Sequence, residues 1–310
     1  MNYTVTHCRM LSASIKEITV SGAPAATESA HAGAHFKWLI APSGEWRHYS
    51  TVELGDCAEG QFTFAIRLSD ESASSQYLRS LAVGDQVQLE GPFNTFNYPL
   101  DSRSGRDIAI AGGIGITPLT GILRHLTALE RSAHLHYFAR SADDAAYAEE
   151  LRALLQERMS LHLSGQRPAI HQVLADLSPE DRLYVCGPAA MLNDILSHAE
   201  SAGLPRDRIH LEVFNVATDE SAKGFTVEAA DSGVSIEVGP DQSLLEALEA
   251  AGLDPISDCR RGECGVCALD VLEGDVEHRD FIMSEQEAAC SARIYPCVSR
   301  AKSQRLKLAI

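Results

Sequence analysis

The stretch DCRRGECGVC, from Asp258 to Cys267, contains three cysteines separated by four and then two residues. A fourth cysteine follows in the sequence IYPCVS, with 29 residues between it and the third. A cluster of two irons and two bridging sulfides requires four thiolates that converge on a small volume, and this spacing is that of plant-type clusters. We therefore predict a [2Fe-2S] cluster bound by Cys259, Cys264, Cys267 and Cys297.

Two glycines within this stretch support the prediction. Gly262 and Gly265 allow the backbone to wrap closely around a metal centre, and the N–H groups of such a loop stabilise an anionic cluster. Structural zinc is the alternative, but zinc sites usually combine two closely spaced ligand pairs and the sequence contains one. Cys8, Cys57 and Cys290 fall outside the spacing, and we interpret them as buried or spare thiols.

The composition is that of a globular protein, with 45% hydrophobic and 22% charged residues among 310. This length is sufficient for two or three domains. The net charge is −17, from 26 basic and 43 acidic residues. Because nucleic-acid backbones are themselves negatively charged, we expect no nucleic-acid partner.

The N-terminal sequence MNYTVTHCRM lacks a basic region followed by an apolar run, so we expect no signal peptide. No apolar run approaches the roughly 20 residues that span a bilayer, so no membrane association is expected. Eight cysteines in such a chain favour metal or redox chemistry over disulfides. We expect a cytoplasmic, monomeric protein.

The hydrophobic pattern divides the chain into three domains. Residues 1–103 alternate short apolar runs with turn residues, which predicts a small antiparallel β barrel or sandwich, with a loop at 21–34. Residues 104–214 alternate three strands, DIAIA, HLHYFAR and RLYVCG, with helices, which predicts a parallel α/β sheet. The polar segment 215–224 is interpreted as a linker. Residues 225–310 form a compact α+β module.

Two motifs follow strands of the α/β domain. GGIGITP offers glycines for close backbone approach and a helix N-terminus for a pyrophosphate, and YVCGPAAML begins another helix. Together they resemble the nucleotide domain of the ferredoxin–NADP reductase superfamily. The resemblance implies that the pyrophosphate is held by Gly112, Gly113 and Gly115. It also implies that the nicotinamide is bordered by Thr117, Cys186, Gly187 and Pro188. Pro118 and Met191 belong to the same two motifs and are expected in the nucleotide site.

The second strand of the same domain ends at residues expected to face the adenosine ribose, Arg140 and Ser141. Arg140 suits a 2′-phosphate, whereas Asp143 and Asp144 would repel one. The family members that the chain most resembles use NADH, so we favour NADH over NADPH.

Hydride carries two electrons and a [2Fe-2S] cluster accepts one, so a flavin is needed between them. RHYS, which begins at residue 47, resembles the Arg-x-Tyr-Ser signature of the superfamily's flavin barrel. The resemblance implies that the tyrosine packs along the isoalloxazine, the serine bonds its edge and the arginine binds the phosphate. Residues 74–78, with the sequence SSQYL, align with the loop that binds the flavin phosphate in this superfamily. Two serines stand there in place of the usual glycines. The expected flavin contacts are Arg47, His48, Tyr49, Ser50, Ala65, Ile66, Arg67, Ser74 and Ser75.

The order of domains resembles the phthalate dioxygenase reductase type, which includes vanillate demethylase reductases. The C-terminal module resembles a plant-type ferredoxin domain with a β-grasp fold. The resemblance implies FMN rather than FAD, and it places Ser50, Thr117 and Cys186 where hydride is transferred. Phe214 resembles the family's aromatic residue at the flavin–nicotinamide junction. Its interpretation as a core residue is equally good.

We therefore predict that electrons pass from NADH through FMN and the [2Fe-2S] cluster to a terminal oxygenase of the Rieske non-haem iron type. The alternatives are a reductase that feeds a cytochrome P450 and a non-catalytic redox-sensing module. Residues 223–299 contain 5 basic and 16 acidic residues, a net charge of −11. These acidic residues form either an ordinary solvated surface or a surface that steers a partner with basic residues.

Overall fold

The structure is a computed structural model that describes residues 1–22, 32–55, 58–69, 72–94, 96, 105–166, 168–214 and 222–310. The chain forms two compact units, Met1–Phe214 and Asn215–Ile310. Across the described ranges, no helix combines the length and the apolar character needed to cross a membrane.

The N-terminal part of the first unit is an antiparallel barrel. Its elements are β1 (Asn2–Ser12), β2 (Ile15–Ser21), β3 (His35–Ile40), β4 (Glu45–Ser50), β5 (Gln61–Arg67), α1 (Ala73–Ser80) and β6 (Gln86–Phe93). The strands are hydrogen-bonded in the order β4-β3-β6-β1-β2-β5. A bridge between Thr51, which follows β4, and Phe64 in β5 closes the sheet. The predicted antiparallel barrel is thereby confirmed.

Strand β3 shows why these residues form a barrel wall. Phe36, Trp38 and Ile40 are completely buried, and they alternate with the partly exposed Lys37 and Leu39. This period of two is that of a strand with one face on a core. Trp38 packs edge-on against an aromatic ring of β5, with 5.1 Å between ring centroids. The interior is filled by side chains, so a ligand must bind outside it.

The rest of the first unit is a parallel sheet with helices. Its elements are β7 (Asp107–Gly112), α2 (Ile116–Ala128), β8 (Ala133–Ala139), α3 (Ala148–Leu155), β9 (Met159–Leu163), α4 (Ile170–Val173), β10 (Arg182–Gly187), α5 (Ala189–Ser201) and β11 (Ile209–Val213). The strand order is β11-β10-β7-β8-β9. The chain builds the sheet outward from β7 in one direction and then returns to add β10 and β11 on the other side of β7, so the switch point lies between β7 and β10. Ligands bind at the carboxyl ends of strands at such a switch point. The α/β prediction is confirmed, with five strands where the sequence predicts three.

The third helix of this unit is shorter than its sequence pattern predicts. The pattern DDAAYAEELRALLQERM covers 143–159, whereas α3 spans Ala148–Leu155. Tyr147 has a left-handed backbone, with φ of 60°, and its hydroxyl donates a 2.6 Å hydrogen bond to Glu17 of the barrel. This contact between distant segments sets the start of the helix.

The barrel and the parallel sheet share one core. Ile15, Val52 and Ala65 of the barrel belong to the same buried cluster as Leu119 and Ile122 of α2. Because the apolar surfaces are continuous, these two sequence-predicted domains form a single compact unit.

The second unit has a mixed sheet with one main helix. Its elements are β12 (Phe225–Ala229), β13 (Val234–Val238), α6 (Leu244–Ala250), β14 (Leu269–Glu273), β15 (Val276–Glu277), α7 (Glu285–Ala289), β16 (Arg293–Ile294), β17 (Arg300–Ala301) and β18 (Arg305–Leu308). The main sheet has the order β13-β12-β18-β14-β16, with β12 and β18 parallel. The cysteine loop connects α6 to β14. This is the predicted α+β ferredoxin module.

Four predicted features lie mainly or wholly outside the described residues. They are the boundary between residues 103 and 104, the linker 215–224, the loop 21–34 and Cys57.

Candidate active site and metal centre

The two glycine-containing turns after β7 and β10 are packed against each other. A Cβ atom added to Gly112 would lie 2.6 Å from Cδ of Pro188, and one on Gly115 would lie 2.3 Å from the carbonyl oxygen of Cys186. Only glycine fits such close approaches. Gly113 differs, because its φ is +56° and the nearest neighbour of an added Cβ is an arginine side chain 3.9 Å away. Gly113 is therefore the point where a ligand can approach the backbone.

A cavity of about 460 Å³ opens at this turn, a volume typical of ligand sites. The predicted nucleotide contacts in its wall are Gly112, Gly113, Arg140, Pro188 and Met191. The wall also contains Arg67, Phe138, Asp144, Ile170 and Asp194. The combination of a guanidinium, an apolar surface and the N-terminal end of α2 suits a dinucleotide.

Arg67 is predicted as part of the strand behind the flavin, and the structure places its side chain in the nucleotide cavity. It is exposed at the end of β5, whereas Ala65 and Ile66 before it are buried. The barrel thus contributes a positive charge to a site that the sequence assigns to the α/β domain alone.

The far end of the cavity carries a fixed carboxylate. Ser141 donates a hydrogen bond from Oγ to Oδ2 of Asp144 at 3.1 Å, and Ser14 of the barrel donates one to Oδ1 at 3.4 Å. Ser141 therefore holds Asp144 beside Arg140. A carboxylate in this position accepts hydrogen bonds from a ribose diol.

Thr117 and Cys186 are buried next to the cavity. Thr117 donates a 3.0 Å hydrogen bond from Oγ1 to the carbonyl of Ile114, and Cys186 is completely buried in the shared core. Pro118 is buried within α2. These side chains shape the turn from inside.

A polar pair joins the barrel to the parallel sheet. The Ser50 hydroxyl donates to both carboxylate oxygens of Glu212 at 3.1 Å, and both side chains are almost fully buried. His35 Nδ1 lies 3.9 Å from the same carboxylate. Phe214, two residues after Glu212, is partly buried against the shared core.

Glu212 is a residue that sequence reasoning missed. It occupies a buried position in β11 (IHLEV), where burial otherwise favours apolar residues. An acidic residue within a short apolar strand is the signal that could have identified it.

The remaining RHYS residues lie along β4. Tyr49 is largely buried, which raises the pKa of its phenol to about 12 and keeps it neutral. Its ring packs edge-on against Trp38, with 6.0 Å between centroids. His48 lies 5.2 Å, centroid to centroid, from His35. Arg47 is exposed and pairs with Glu45 at 2.7 Å.

The predicted phosphate loop is a cluster of serine hydroxyls at the start of α1. Ser72 caps the helix by accepting the N–H of Ser75, and it donates from Oγ to Ser75 Oγ at 2.8 Å. Ser74 lies 3.3 Å from Ser72 Oγ. Hydroxyl and N–H donors are thus concentrated at one helix N-terminus, as in an anion site.

The four predicted metal ligands lie in two pairs. The sulfurs of Cys267 and Cys297 are 3.4 Å apart, and Cys259 lies near Cys264. Within the described ranges, no group of three or more metal-binding side chains converges closely enough to hold a single ion. Two thiol pairs match the need of a binuclear cluster for two ligands on each iron.

The environment of these thiols also fits a cluster. Burial raises the pKa of Cys259 to about 11, while its sulfur accepts a hydrogen bond from the N–H of Arg261 at 3.3 Å. In the other pair, the shared hydrogen bond lowers the pKa of Cys267 and raises that of Cys297. Iron binding would replace these protons.

The other cysteines in the described ranges take no part in these pairs. Cys290 is exposed, and its sulfur contacts the carbonyl of Gln286 at 3.4 Å. Cys8 is partly buried in the first unit.

Comparison with known proteins covers all three parts of the chain. Residues 4–98 match the family model of the oxidoreductase FAD-binding domain, residues 109–197 that of the oxidoreductase NAD-binding domain, and residues 227–302 that of the 2Fe-2S iron-sulfur cluster binding domain. The fold and its sites therefore define a flavin, NAD and [2Fe-2S] oxidoreductase.

Several relatives match over nearly the whole length. The chain is 38% identical over 304 residues to the heme-dependent oxidative N-demethylase beta subunit of Ectopseudomonas mendocina, covering 97% of this chain and 96% of that protein. It is 34% identical over 288 residues to the vanillate O-demethylase oxidoreductase of Pseudomonas sp. strain HR199, covering 89% of each. The chain belongs to this family of oxygenase reductases.

Two solved structures align with the entire chain. Phthalate dioxygenase reductase, described as a modular structure for electron transfer from pyridine nucleotides to [2Fe-2S], is 28% identical with a TM-score of 0.70, and 98% of that chain is covered. An intact type IV self-sufficient cytochrome P450 monooxygenase is 30% identical with a TM-score of 0.71. The present chain spans about two fifths, 41%, of that P450. The fold is that of phthalate dioxygenase reductase.

Proposed function

We propose that this reductase uses NADH and FMN and delivers single electrons to a separate terminal oxygenase. The observation that carries the proposal is the cavity in which Arg67 of the barrel and Gly113 of the α/β domain line the same wall. A nucleotide bound there contacts the flavin-binding barrel directly. A flavin held by the barrel would supply hydride acceptance and single-electron release, which is the conversion that a [2Fe-2S] cluster requires.

The chain's own residues bind and orient the nucleotide. Gly113 and the start of α2 offer backbone N–H groups to the pyrophosphate, and Arg67 supplies its positive charge. Thr117 and Cys186, which are buried, keep in shape the turn that would border the nicotinamide. Anaerobic titration with NADH, followed by flavin absorbance, tests this assignment. Absence of flavin reduction by NADH would reject it.

Asp144 is the group that we propose selects NADH. Its carboxylate is held by two serine hydroxyls and would repel a 2′-phosphate while binding a free ribose diol. The ratio of kcat/KM for NADH and NADPH should therefore favour NADH, and Asp144→Asn should reduce the ratio. A preference for NADPH in the unmodified protein would contradict the assignment.

FMN is the flavin that we propose for the barrel. The serine cluster at Ser72, Ser74 and Ser75 and the guanidinium of Arg47 provide donors for one terminal phosphate. Acid extraction should release FMN, and recovery of FAD would contradict the proposal. Arg47→Ala should weaken flavin binding by roughly ten- to a hundredfold, the effect of one charged hydrogen bond.

Ser50 and Glu212 are proposed to act at the flavin edge. The Ser50 hydroxyl donates to both carboxylate oxygens of Glu212. The hydroxyl is therefore oriented before the nucleotide arrives. Ser50→Ala and Glu212→Gln should lower the rate of flavin reduction with little change in flavin content. If both variants reduced flavin at the unmodified rate, this role would be rejected.

The acceptor is proposed to be a Rieske-type oxygenase. The relatives named vanillate O-demethylase oxidoreductase and the structural match to phthalate dioxygenase reductase support this choice. The relative named as a heme-dependent N-demethylase subunit and the matching P450 favour a haem oxygenase as the second candidate. Mixing the reduced protein with purified examples of both oxygenase types distinguishes them, because a haem acceptor changes its Soret band on reduction and a Rieske acceptor has none.

Charge is proposed to guide this encounter. The net charge of −11 over residues 223–299 suits a partner with a basic surface, and steering by charge weakens when salt shortens the Debye length. The KM for the oxygenase should rise with added salt, while NADH-dependent reduction of ferricyanide changes much less.

We also propose that the protein acts as a monomer in the cytoplasm, where thiols stay reduced.

A further inference from the structure

A short segment of the second unit is packed against the cysteine loop. The N–H of Phe281 donates a 2.9 Å hydrogen bond to the carbonyl of Gly262, which lies between the first two cysteines of the loop. A Cβ atom added to Gly262 would lie 3.1 Å from Cα of Asp280 and 2.7 Å from Cγ2 of Val298. The segment around Asp280 therefore contacts the loop directly, close to the residue that follows Cys297.

The side chain of Asp280 is completely buried in this segment. Its Oδ1 accepts hydrogen bonds from the N–H groups of Ile282 and Met283 at 3.1 and 3.0 Å. Its Oδ2 accepts one from the hydroxyl of Ser299 at 3.3 Å and lies 3.6 Å from Nδ1 of His278. These contacts solvate the carboxylate inside the segment.

Asp280 also contacts the segment that carries the fourth predicted iron ligand. Ser299, which donates to Asp280, is two residues from Cys297. Asp280 thus lies between the loop that carries the first three predicted ligands and the segment that carries the fourth.

We propose that the buried carboxylate of Asp280 lowers the reduction potential of the [2Fe-2S] cluster. The inference rests on the proposed cluster site at the four cysteines. Reduction adds a negative charge to the cluster, and a buried anion opposes this more strongly than an exposed one because little water screens it. Cluster potentials depend on such nearby charges and hydrogen bonds. A lower potential makes the reduced cluster a stronger donor to the oxygenase.

A purely structural role would be to hold the turn through the N–H groups of Ile282 and Met283. Asparagine retains an oxygen that accepts the same hydrogen bonds, but it carries no charge. Asp280→Asn therefore separates the charge from the shape. Asp275→Asn is the matched control, because Asp275 is an exposed carboxylate in the same part of the chain.

The test is a spectroelectrochemical titration of the full-length, iron-loaded protein at fixed pH, with iron content measured for each variant. We expect Asp280→Asn to retain about two irons per chain and to raise the cluster potential, and Asp275→Asn to change the potential much less. An unchanged potential in Asp280→Asn, or equal shifts in the two variants, would overturn the proposal. Loss of iron from Asp280→Asn would also overturn it, because the carboxylate would then be needed to build the site.

These outcomes are distinct from failure of the cluster assignment itself. If the four cysteines were not the ligands, a Cys297→Ser variant would keep its full iron content whatever the behaviour of Asp280. Suppose instead that Cys297→Ser loses the cluster and that Asp280→Asn leaves the cluster potential unchanged. The cluster assignment then stands, and only the proposed role of Asp280 is rejected.

Discussion

The nucleotide turn and the cysteine loop both depend on glycines, but for different physical reasons. Gly112 and Gly115 have ordinary backbone angles, with φ of −112° and −61°, and they are needed because the Pro188 turn leaves no space for a Cβ. Gly265 of the cysteine loop has φ of +77°, and its added Cβ would make only ordinary contacts. Gly262 of the same loop combines both reasons, because its φ is +73° and its added Cβ would lie 2.7 Å from Cγ2 of Val298. Close packing alone therefore explains Gly112 and Gly115, whereas both glycines of the cysteine loop also need a positive φ.

The largest expected effect concerns the cysteine pairs. Cys297→Ser should abolish the visible spectrum of the cluster, because it removes a ligand from the pair with Cys267, while NADH oxidation with ferricyanide continues. Cys290→Ser is the control, since Cys290 is exposed and outside both pairs. Absorbance and iron content check both variants. Full iron content in Cys297→Ser would contradict the assignment.

The next effect compares two kinds of glycine within the nucleotide turn. Gly115→Ala should destabilise the first unit by about 3 kcal/mol, because the methyl group overlaps the Cys186 carbonyl. Gly113→Ala, where space is free but φ is positive, should cost about 1 kcal/mol. Urea unfolding followed by circular dichroism measures both. Equal destabilisation would remove the distinction between space and conformation.

A smaller effect tests where Arg67 acts. Arg67→Ala should raise the KM for NADH by roughly ten- to a hundredfold, the loss of one charged hydrogen bond, and it should leave flavin content unchanged. Arg79→Ala provides a control for the loss of a barrel arginine outside the nucleotide cavity. Loss of flavin with an unchanged KM would return Arg67 to the flavin-binding role predicted from the sequence.

The smallest effect concerns acid. Burial lowers the pKa values of His134 and His162, and it lowers that of His136 to about 4. In the unfolded chain these histidines have pKa values near 6.5. Between about pH 4 and pH 6.5 the unfolded chain therefore binds more protons than the folded chain. Stability of the first unit should be complete above about pH 6.5 and decrease as the pH falls toward 4.

Urea unfolding at pH 7 and pH 5 checks this pH dependence. His136→Asn should make the difference between the two pH values smaller. His171→Asn, at an exposed position, should leave the difference unchanged. An identical pH dependence in His136→Asn and the unmodified protein would contradict a role for the buried histidine.

Much of the fold could be predicted because its signals are local. Strand β7 and the turn after it are contiguous in sequence, and the helices α2 and α5 follow their apolar patterns closely. The predictions were incomplete where tertiary contacts prevail. Strand β11 contains the buried Glu212, which interrupts its apolar pattern, and α3 begins late because Tyr147 bonds to Glu17.

The sequence by itself determined the three domain types, the four cysteines and the glycine turn. Chain connectivity restricts residues that are a few positions apart to a small volume, so their spacing already indicates the chemistry. Only the tertiary structure decided that Ser50 bonds to Glu212, 162 residues away, and that Arg67 enters the nucleotide cavity. It also decided that Asp280 is buried against the cysteine loop. Such contacts depend on how separate segments pack against each other, and local spacing carries no record of that packing.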